Sequence, residues 1–159
     1  SEMCIRDSTN RFYMVDMKTT PFWEDIEINS TLPMIEKYPT TRQLVQYAGV
    51  SGDFYEIHYD KDFAKNNNLP DIILHGALKN AFLGQLMPDF VGTEGNLKKL
   101  SVQYRAMDIP GTPVFAKGIV KKKYTEDNEN IVECEIRLET HEGKVTTPGY
   151  AVASLPSKQ

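Results

Sequence analysis

The sequence predicts an α+β fold, a mostly antiparallel sheet with one buried helix to fill its concave face. Three observations lead there. Four stretches in the second half, near 97–109, 113–125, 130–140 and 144–155, alternate apolar and polar residues. Short turn signals separate them, at Pro110-Gly111, Asp127-Asn128 and Glu142-Gly143. Short connections favour antiparallel neighbours. Helical periodicity is confined to the first half, where residues 77–87 carry an apolar stripe wide enough to be buried by other elements.

Each element can be justified in order. Residues 1–13 show no clear period or turn chemistry and read as a non-native or weakly ordered leader, with Met14 or Met17 as the expected natural start. The remainder, 14–159, reads as a single domain. Thr31 to Tyr38 reads as a strand. Thr40 is a suitable helix N-cap, and Gln43 three residues later can complete a capping box. The helix opened there runs from Thr41 to about Val50, with Leu44, Val45, Tyr47 and Ala48 on one face, and stops at Ser51-Gly52. Lys61 to Asn66 reads as a short helix, and 66–70 as a loop. The apolar helix is expected over Ala77 to Met87, ended by Pro88. Pro148-Gly149 suggests a bulge or an edge position in the last strand.

Composition narrows the function classes. The chain has 159 residues, 40% hydrophobic and 25% charged, with a formal net charge of -4. That charge gives no general attraction to nucleic acid or anionic membrane, so an anionic ligand would need a local basic patch. No apolar run is long enough for a membrane span. Cys4 and Cys134 lie far apart with no metal or disulfide spacing and read as structural residues of a reducing cytoplasm. No metal cluster, phosphate loop or flavin motif appears, and no cofactor is expected. The C-terminal Ser157-Lys-Gln159 is not a peroxisomal address, so a cytoplasmic location is the expectation.

Two features carry chemistry. Four residues separate Asp53 from His58, in a turn-rich segment after a helix. A carboxylate and an imidazole held at one place can act on the same water, since either accepts a proton and a charged imidazole donates one. Taken alone this signal is weak, because an aspartate after glycine is often only a turn residue. The second feature is His75-Gly76, directly before the apolar helix. A helix N-terminus presents unpaired N–H groups and partial positive charge, and glycine permits close approach of a ligand to the backbone. That combination suits an oxyanion, although Gly also serves simply as a permissive helix start.

Together these residues resemble a known family. The segment Tyr47-Ala-Gly-Val-Ser-Gly-Asp-Phe-Tyr-Glu-Ile-His-Tyr-Asp60, then Phe63-Ala64, then Ile73-Leu-His-Gly76, is similar to the MaoC-like dehydratases, which include the (R)-specific enoyl-CoA hydratases. The resemblance runs from about Leu32 to Leu155 and takes in Leu97-Lys-Lys-Leu-Ser-Val-Gln-Tyr-Arg105 and Pro110-Gly111. It implies the hot dog fold, an antiparallel sheet wrapped around a central helix and usually paired as a dimer. It implies reversible hydration of an enoyl thioester, with CoA as part of the substrate rather than a cofactor. Asp53 and His58 would activate water, and the Gly76 N–H would bind the thioester oxygen. Ser51 and Gly52 would shape the turn presenting Asp53, and Tyr55, His75, Phe82 and Arg105 would face substrate. Leu78, Leu86 and Met87 are further candidates for an acyl tunnel, though such a stripe is more often core. Arg105, Lys98, Lys99 and Lys121 to Lys123 are candidates for the CoA phosphates, and a lysine run at a strand end is more often a solvated edge.

One departure stands out: many members carry Asn-Pro where this chain has Tyr55-Glu56, which removes a rigid φ restraint and adds a charge. Two other readings stay open. One is a binding subunit of a heteromeric dehydratase, which the presence of both Asp53 and His58 disfavours. The other is a thioesterase of the same fold, which the Asp53-to-His58 spacing disfavours.

Overall fold

The computed structural model describes residues 3–6, 12–15 and 20–158. β1 (Met3–Arg6), inside the expected leader, pairs antiparallel with β2 (Phe12–Val15), which crosses the leader's end, in a separate two-stranded sheet. The rest of residues 1–13, and the candidate start Met17, lie outside the described residues.

The domain's sheet has the order β3-β5-β6-β7-β4, every neighbouring pair antiparallel. Its strands are β3 (Ile35–Lys37), β4 (Asn96–Val102), β5 (Val114–Glu126), β6 (Glu129–Thr140) and β7 (Val145–Leu155). The helices are α1 (Thr41–Ser51), α2 (Lys61–Asn66) and α3 (Gly76–Val91). α3 touches β4, β5, β6 and β7, so the sheet curls around it as in the hot dog fold.

Alternation decides which face meets the helix. Val114, Ala116 and Val120 of β5, Cys134, Ile136 and Leu138 of β6, and Ala151 and Ala153 of β7 all point inward and are fully buried or nearly so. They meet Leu78, Leu83, Leu86, Met87 and Val91 of α3 in one core. Burying each of the larger side chains stabilises by roughly 1.5–3 kcal/mol. Buried among them, the Cys134 thiol is pushed up to about 12 by desolvation, which leaves it inert.

Local sequence chemistry sets the joints. Asp127 (φ 49) and Asn128 (φ 62) both take positive φ, giving the two-residue turn that matches strand twist between β5 and β6. Thr40 Oγ1 accepts the Gln43 N–H at 3.2 Å and caps α1. Asp60 Oδ1 accepts from Asp62 and Phe63 N–H and caps α2. Trp23 closes the base of the fold: its N–H donates to Pro156 O, its Nε1–H to Ile131 O, and Lys123 Nζ sits 4.2 Å from its ring centre.

The structure corrects four sequence expectations. Strand pairing over 31–38 shrinks to β3 and one bridge, Thr31 to Ile119, because Pro33 lacks the N–H a ladder needs. Val45 lies on the exposed side of α1; only Leu44 and Ala48 are buried there. α3 does not end at Pro88 but continues to Val91 and stops at Gly92. A proline inside a helix costs about 3 kcal/mol, and burial of Phe90 and Val91 in the extra turn offsets it. The expected strand 97–109 stops at Val102, and the chain then crosses the start of α3 as an irregular segment.

Pro148 is not on an edge strand, since β7 lies between β6 and β4. Its carbonyl accepts from Gln103 N–H, so its nitrogen faces the β4 side just beyond the point where β4 ends. No ladder bond to β6 is lost.

The crossing segment is held by an ion pair that the sequence did not advertise. Lys79 of α3 and Asp108 are both buried, with Nζ to Oδ2 at 2.7 Å. Lys79 Nζ also donates to Ala106 O, and Thr146 Oγ1 donates to Asp108 Oδ2, each at 2.7 Å. Removing one partner leaves the other charge buried and unpaired, a loss of about 3–5 kcal/mol. Urea unfolding is therefore expected to show a loss of that size for Lys79→Met. Much of it should return in Lys79→Met with Asp108→Leu, because a matched apolar pair leaves no orphan charge.

Candidate active site

The site is built where three segments meet: the end of α1, the turn after it, and the start of α3. α1 ends because Gly52 takes a left-handed φ of 77° that side chains resist. Ser51 Oγ donates to Tyr47 O at 2.7 Å and accepts from Asp53 N–H at 3.3 Å. The Asp53 carboxylate accepts from Tyr55 N–H at 3.4 Å. The turn thus leaves Asp53 about half exposed, with its second oxygen, Oδ2, aimed at His58.

His58 ends a short 3-10 turn, Glu56–His58, and is buried apart from its edge. Its Nδ1 lies 2.8 Å from Ile73 O. A carbonyl can only accept, so Nδ1 carries a proton, and in the neutral ring Nε2 is the nitrogen with the lone pair. Nε2 stands 3.8 Å from Asp53 Oδ2. That is beyond a direct hydrogen bond but lets both atoms hold one water at ~2.8 Å each.

His75 is fully buried beneath this pair. Its ring stacks on His58 with centres 3.8 Å apart and planes 21° apart. Its Nε2 lies 3.2 Å from Asp53 O, so it donates there, and its Nδ1 has no partner. Tyr47 of α1 packs on its other side, 5.0 Å between ring centres. Burial first, and the neighbouring His58 second, push the His75 imidazole below its ordinary range, so it stays neutral near pH 7.

His75 is also the N-cap residue of α3, and Gly76 is the first helical residue. The Gly76 N–H has no acceptor within the helix. The Tyr104 ring covers Gly76: a β-carbon there would come within 3.0–3.3 Å of three of its ring atoms. Tyr104 is itself half exposed, so it forms a movable wall beside the helix start.

Of the sequence candidates, Ser51, Gly52, Asp53, His58, His75 and Gly76 come together. Tyr55 borders them, its ring edge-on to His58 at 6.4 Å. Phe82 does not reach the pair; it is buried in α3 with Leu78, Leu86 and Met87. Arg105 follows Tyr104 on the crossing segment, with its guanidinium donating to Gln103 Oε1. The lysine candidates are mostly engaged elsewhere: Lys98 with Glu129, Lys122 with Glu133, and Lys123 with Ile26 O and Trp23.

Tyr47, Tyr104, Lys79 and Asp108 contribute to the site or its support and were not singled out from sequence. The available signals were thin: a lone lysine in an apolar helix and a lone aspartate before Ile109-Pro110.

Asp53, His58 and His75 also have ligand atoms within 4.8 Å of one another, the spacing a metal ion needs. Stacked rings, however, aim their lone pairs side by side rather than at one point. The set is better arranged to share a water than to chelate an ion.

Comparison with known proteins follows the geometry. A family model described as MaoC like domain matches residues 22–143. No curated protein sequence matches the chain. Among solved structures, an (R)-hydratase of A. caviae involved in PHA biosynthesis is 22% identical, with TM-score 0.75, covering 84% of this chain and 99% of that one. An R-hydratase of Pseudomonas aeruginosa is 20% identical, with TM-score 0.78, covering 87% of this chain and 88% of that one. A MaoC-like dehydratase is 26% identical, with TM-score 0.75, covering 87% of this chain and 43% of that longer one. With the family model matching well over half of its length, this chain belongs to the MaoC-like domain family.

Proposed function

We propose that this protein catalyses reversible hydration of a trans-2-enoyl thioester, with enoyl-CoA as substrate and an (R)-3-hydroxyacyl thioester as product. The observation that carries the reading is the placement of Asp53 Oδ2 3.8 Å from His58 Nε2, beside the N-terminus of α3. The family and the two hydratase-like folds support the reaction class. The stereochemistry, the CoA carrier and the roles of individual residues are the finer part of the proposal.

The chemistry balances without a metal or redox cofactor. Water held by Asp53 and His58 gives one proton to one of them as its oxygen bonds to C3. The C2=C3 π pair shifts toward the carbonyl, and negative charge builds on the thioester oxygen. The Gly76 N–H and the positive end of α3 stabilise that oxygen. The thioester then re-forms as C2 takes a proton from the pair, so the elements of water end on C3 and C2. Both Nε2 and the carboxylate start as acceptors, so the proton given to C2 is the one removed from water. Asp53 and His58 share it as a coupled pair.

Pairing with a second copy fits the exposed surface around the site. Phe54, Tyr55, Tyr104 and Met107 are each about half exposed, and burying such a group would exclude water from the thioester. A homodimer is the assembly proposed. Among the described residues no helix is long and apolar enough to cross a membrane.

Two measurements test the reading. Asp53→Asn and His58→Ala are each expected to lower kcat for short enoyl-CoA hydration by about 10²-fold or more, while a thiol reagent detects no released CoA. Near wild-type rates in both variants would reject the Asp53–His58 mechanism, and rapid thiol release by the parent protein would favour the thioesterase. Gly76→Ala is expected to fold within about 1 kcal/mol of the parent, since Tyr104 can swing aside. Its kcat should nevertheless fall at least about tenfold, because the added methyl stands where the thioester oxygen must approach. Unchanged kcat would remove Gly76 from the oxyanion role.

A further inference from the structure

Four facts about His75 fit no simple substrate contact. The side chain is fully buried. It stacks on His58 at 3.8 Å. It donates from Nε2 to the backbone carbonyl of Asp53. It immediately precedes Gly76 as the N-cap residue of α3, yet makes no capping bond with its side chain. The imidazole therefore touches both members of the acid–base pair, and its backbone leads directly into the proposed oxyanion donor.

We propose that His75 is a positioning residue that fixes Asp53, His58 and the Gly76 N–H in one register, and does not itself contact substrate. This deepens the hydratase reading and rests on it for its kinetic consequence. The physical argument has two parts. The Nε2–H bond pins the carbonyl of Asp53, and so the direction in which its carboxylate leaves the turn. That turn lacks the proline restraint that Tyr55-Glu56 has displaced, so an external tether has more to hold. The stack blocks rotation of the His58 ring on its buried side, while the Nδ1 bond to Ile73 O holds its far edge. Misplacing a reacting group by about 1 Å can cost 10²-fold in rate.

The role requires a neutral ring. A charged His75 would face His58 across the stack, and burial already disfavours its charged form. The other titratable groups packed around it are Tyr47 from α1 and the Asp53 carboxylate in the turn, with Tyr104 beyond Gly76 from the crossing segment. The next cation along α3, Lys79, is held by Asp108.

The chain has only three histidines, so nitrogen NMR of the wild-type protein reads each ring directly, with exposed His141 as the internal reference. His75 is expected as the neutral Nε2–H tautomer at about pH 7, and His58 with its Nδ1 protonated toward Ile73 O. A charged His75, or the opposite tautomer, overturns the proposal whatever the enzyme's activity. Two variants then separate the bonds. His75→Phe keeps a stacked ring and loses the donor; His75→Gln keeps a donor and loses the ring. Each is expected to lower kcat about tenfold or more, to leave KM for enoyl-CoA within about twofold, and to move the His58 ring resonances. Wild-type kcat in both overturns the positioning role. A rise in KM with kcat unchanged also overturns it and makes His75 a substrate contact. If the wild-type protein hydrates no enoyl-CoA while its tautomers are as expected, the hydratase reading fails and the geometric role of His75 stands.

Discussion

Burial of α3 in the curl of the sheet is the constraint on which the rest depends. Eight of the sixteen residues of this helix are buried, and each of those side chains must find an apolar neighbour or a polar partner. Leu83, Leu86 and Met87 find the inward faces of β5, β6 and β7. Lys79 has no route to solvent and is satisfied only by Asp108 and Ala106 O. That demand draws the 103–113 segment across the helix start, which brings Tyr104 over Gly76. A packing requirement in the core thereby builds one wall of the site.

The same burial sets the character of the helix N-terminus. Backbone N–H groups at a solvated helix start are satisfied by water; at a covered one they act on whatever ligand reaches them. Gly76 stands at such a start, and its lack of a β-carbon is what allows the Tyr104 ring to come close. The two histidines beside it differ in environment. His58 has its Nδ1 bonded to Ile73 O, whereas His75 is fully enclosed with its Nδ1 unpartnered, and burial holds it neutral.

The elements most legible in the sequence were those governed by short-range rules. Thr40 as a cap, Ser51-Gly52 as the stop of α1, and Asp127-Asn128 as a hairpin turn are each decided within three or four residues. Alternation fixed β5, β6 and β7 nearly to their ends. Misreadings arose where distant packing outweighed a local preference. Pro88 is a strong local stop, but the burial of Phe90 and Val91 carries the helix past it. Residues 103–109 keep a strand-like pattern, yet beyond Val102 only scattered backbone bonds to β7 remain, from Gln103 to Pro148 O and from Arg105 and Ala106 to Thr146 O.

The site divides along the same line. The sequence by itself determined the chemical inventory and its order: a carboxylate and an imidazole four residues apart, then His75-Gly76 before a helix, in a pattern matching one family. Local turn chemistry was enough to present Asp53. Only the tertiary structure decided that Oδ2 and Nε2 stand 3.8 Å apart, that His75 lies flat beneath His58, and that Lys79 and Asp108 form a buried pair. These contacts join residues 5, 17 and 29 positions apart. Their geometry comes from how α3 seats in the sheet, a collective result of packing that no short stretch of sequence encodes.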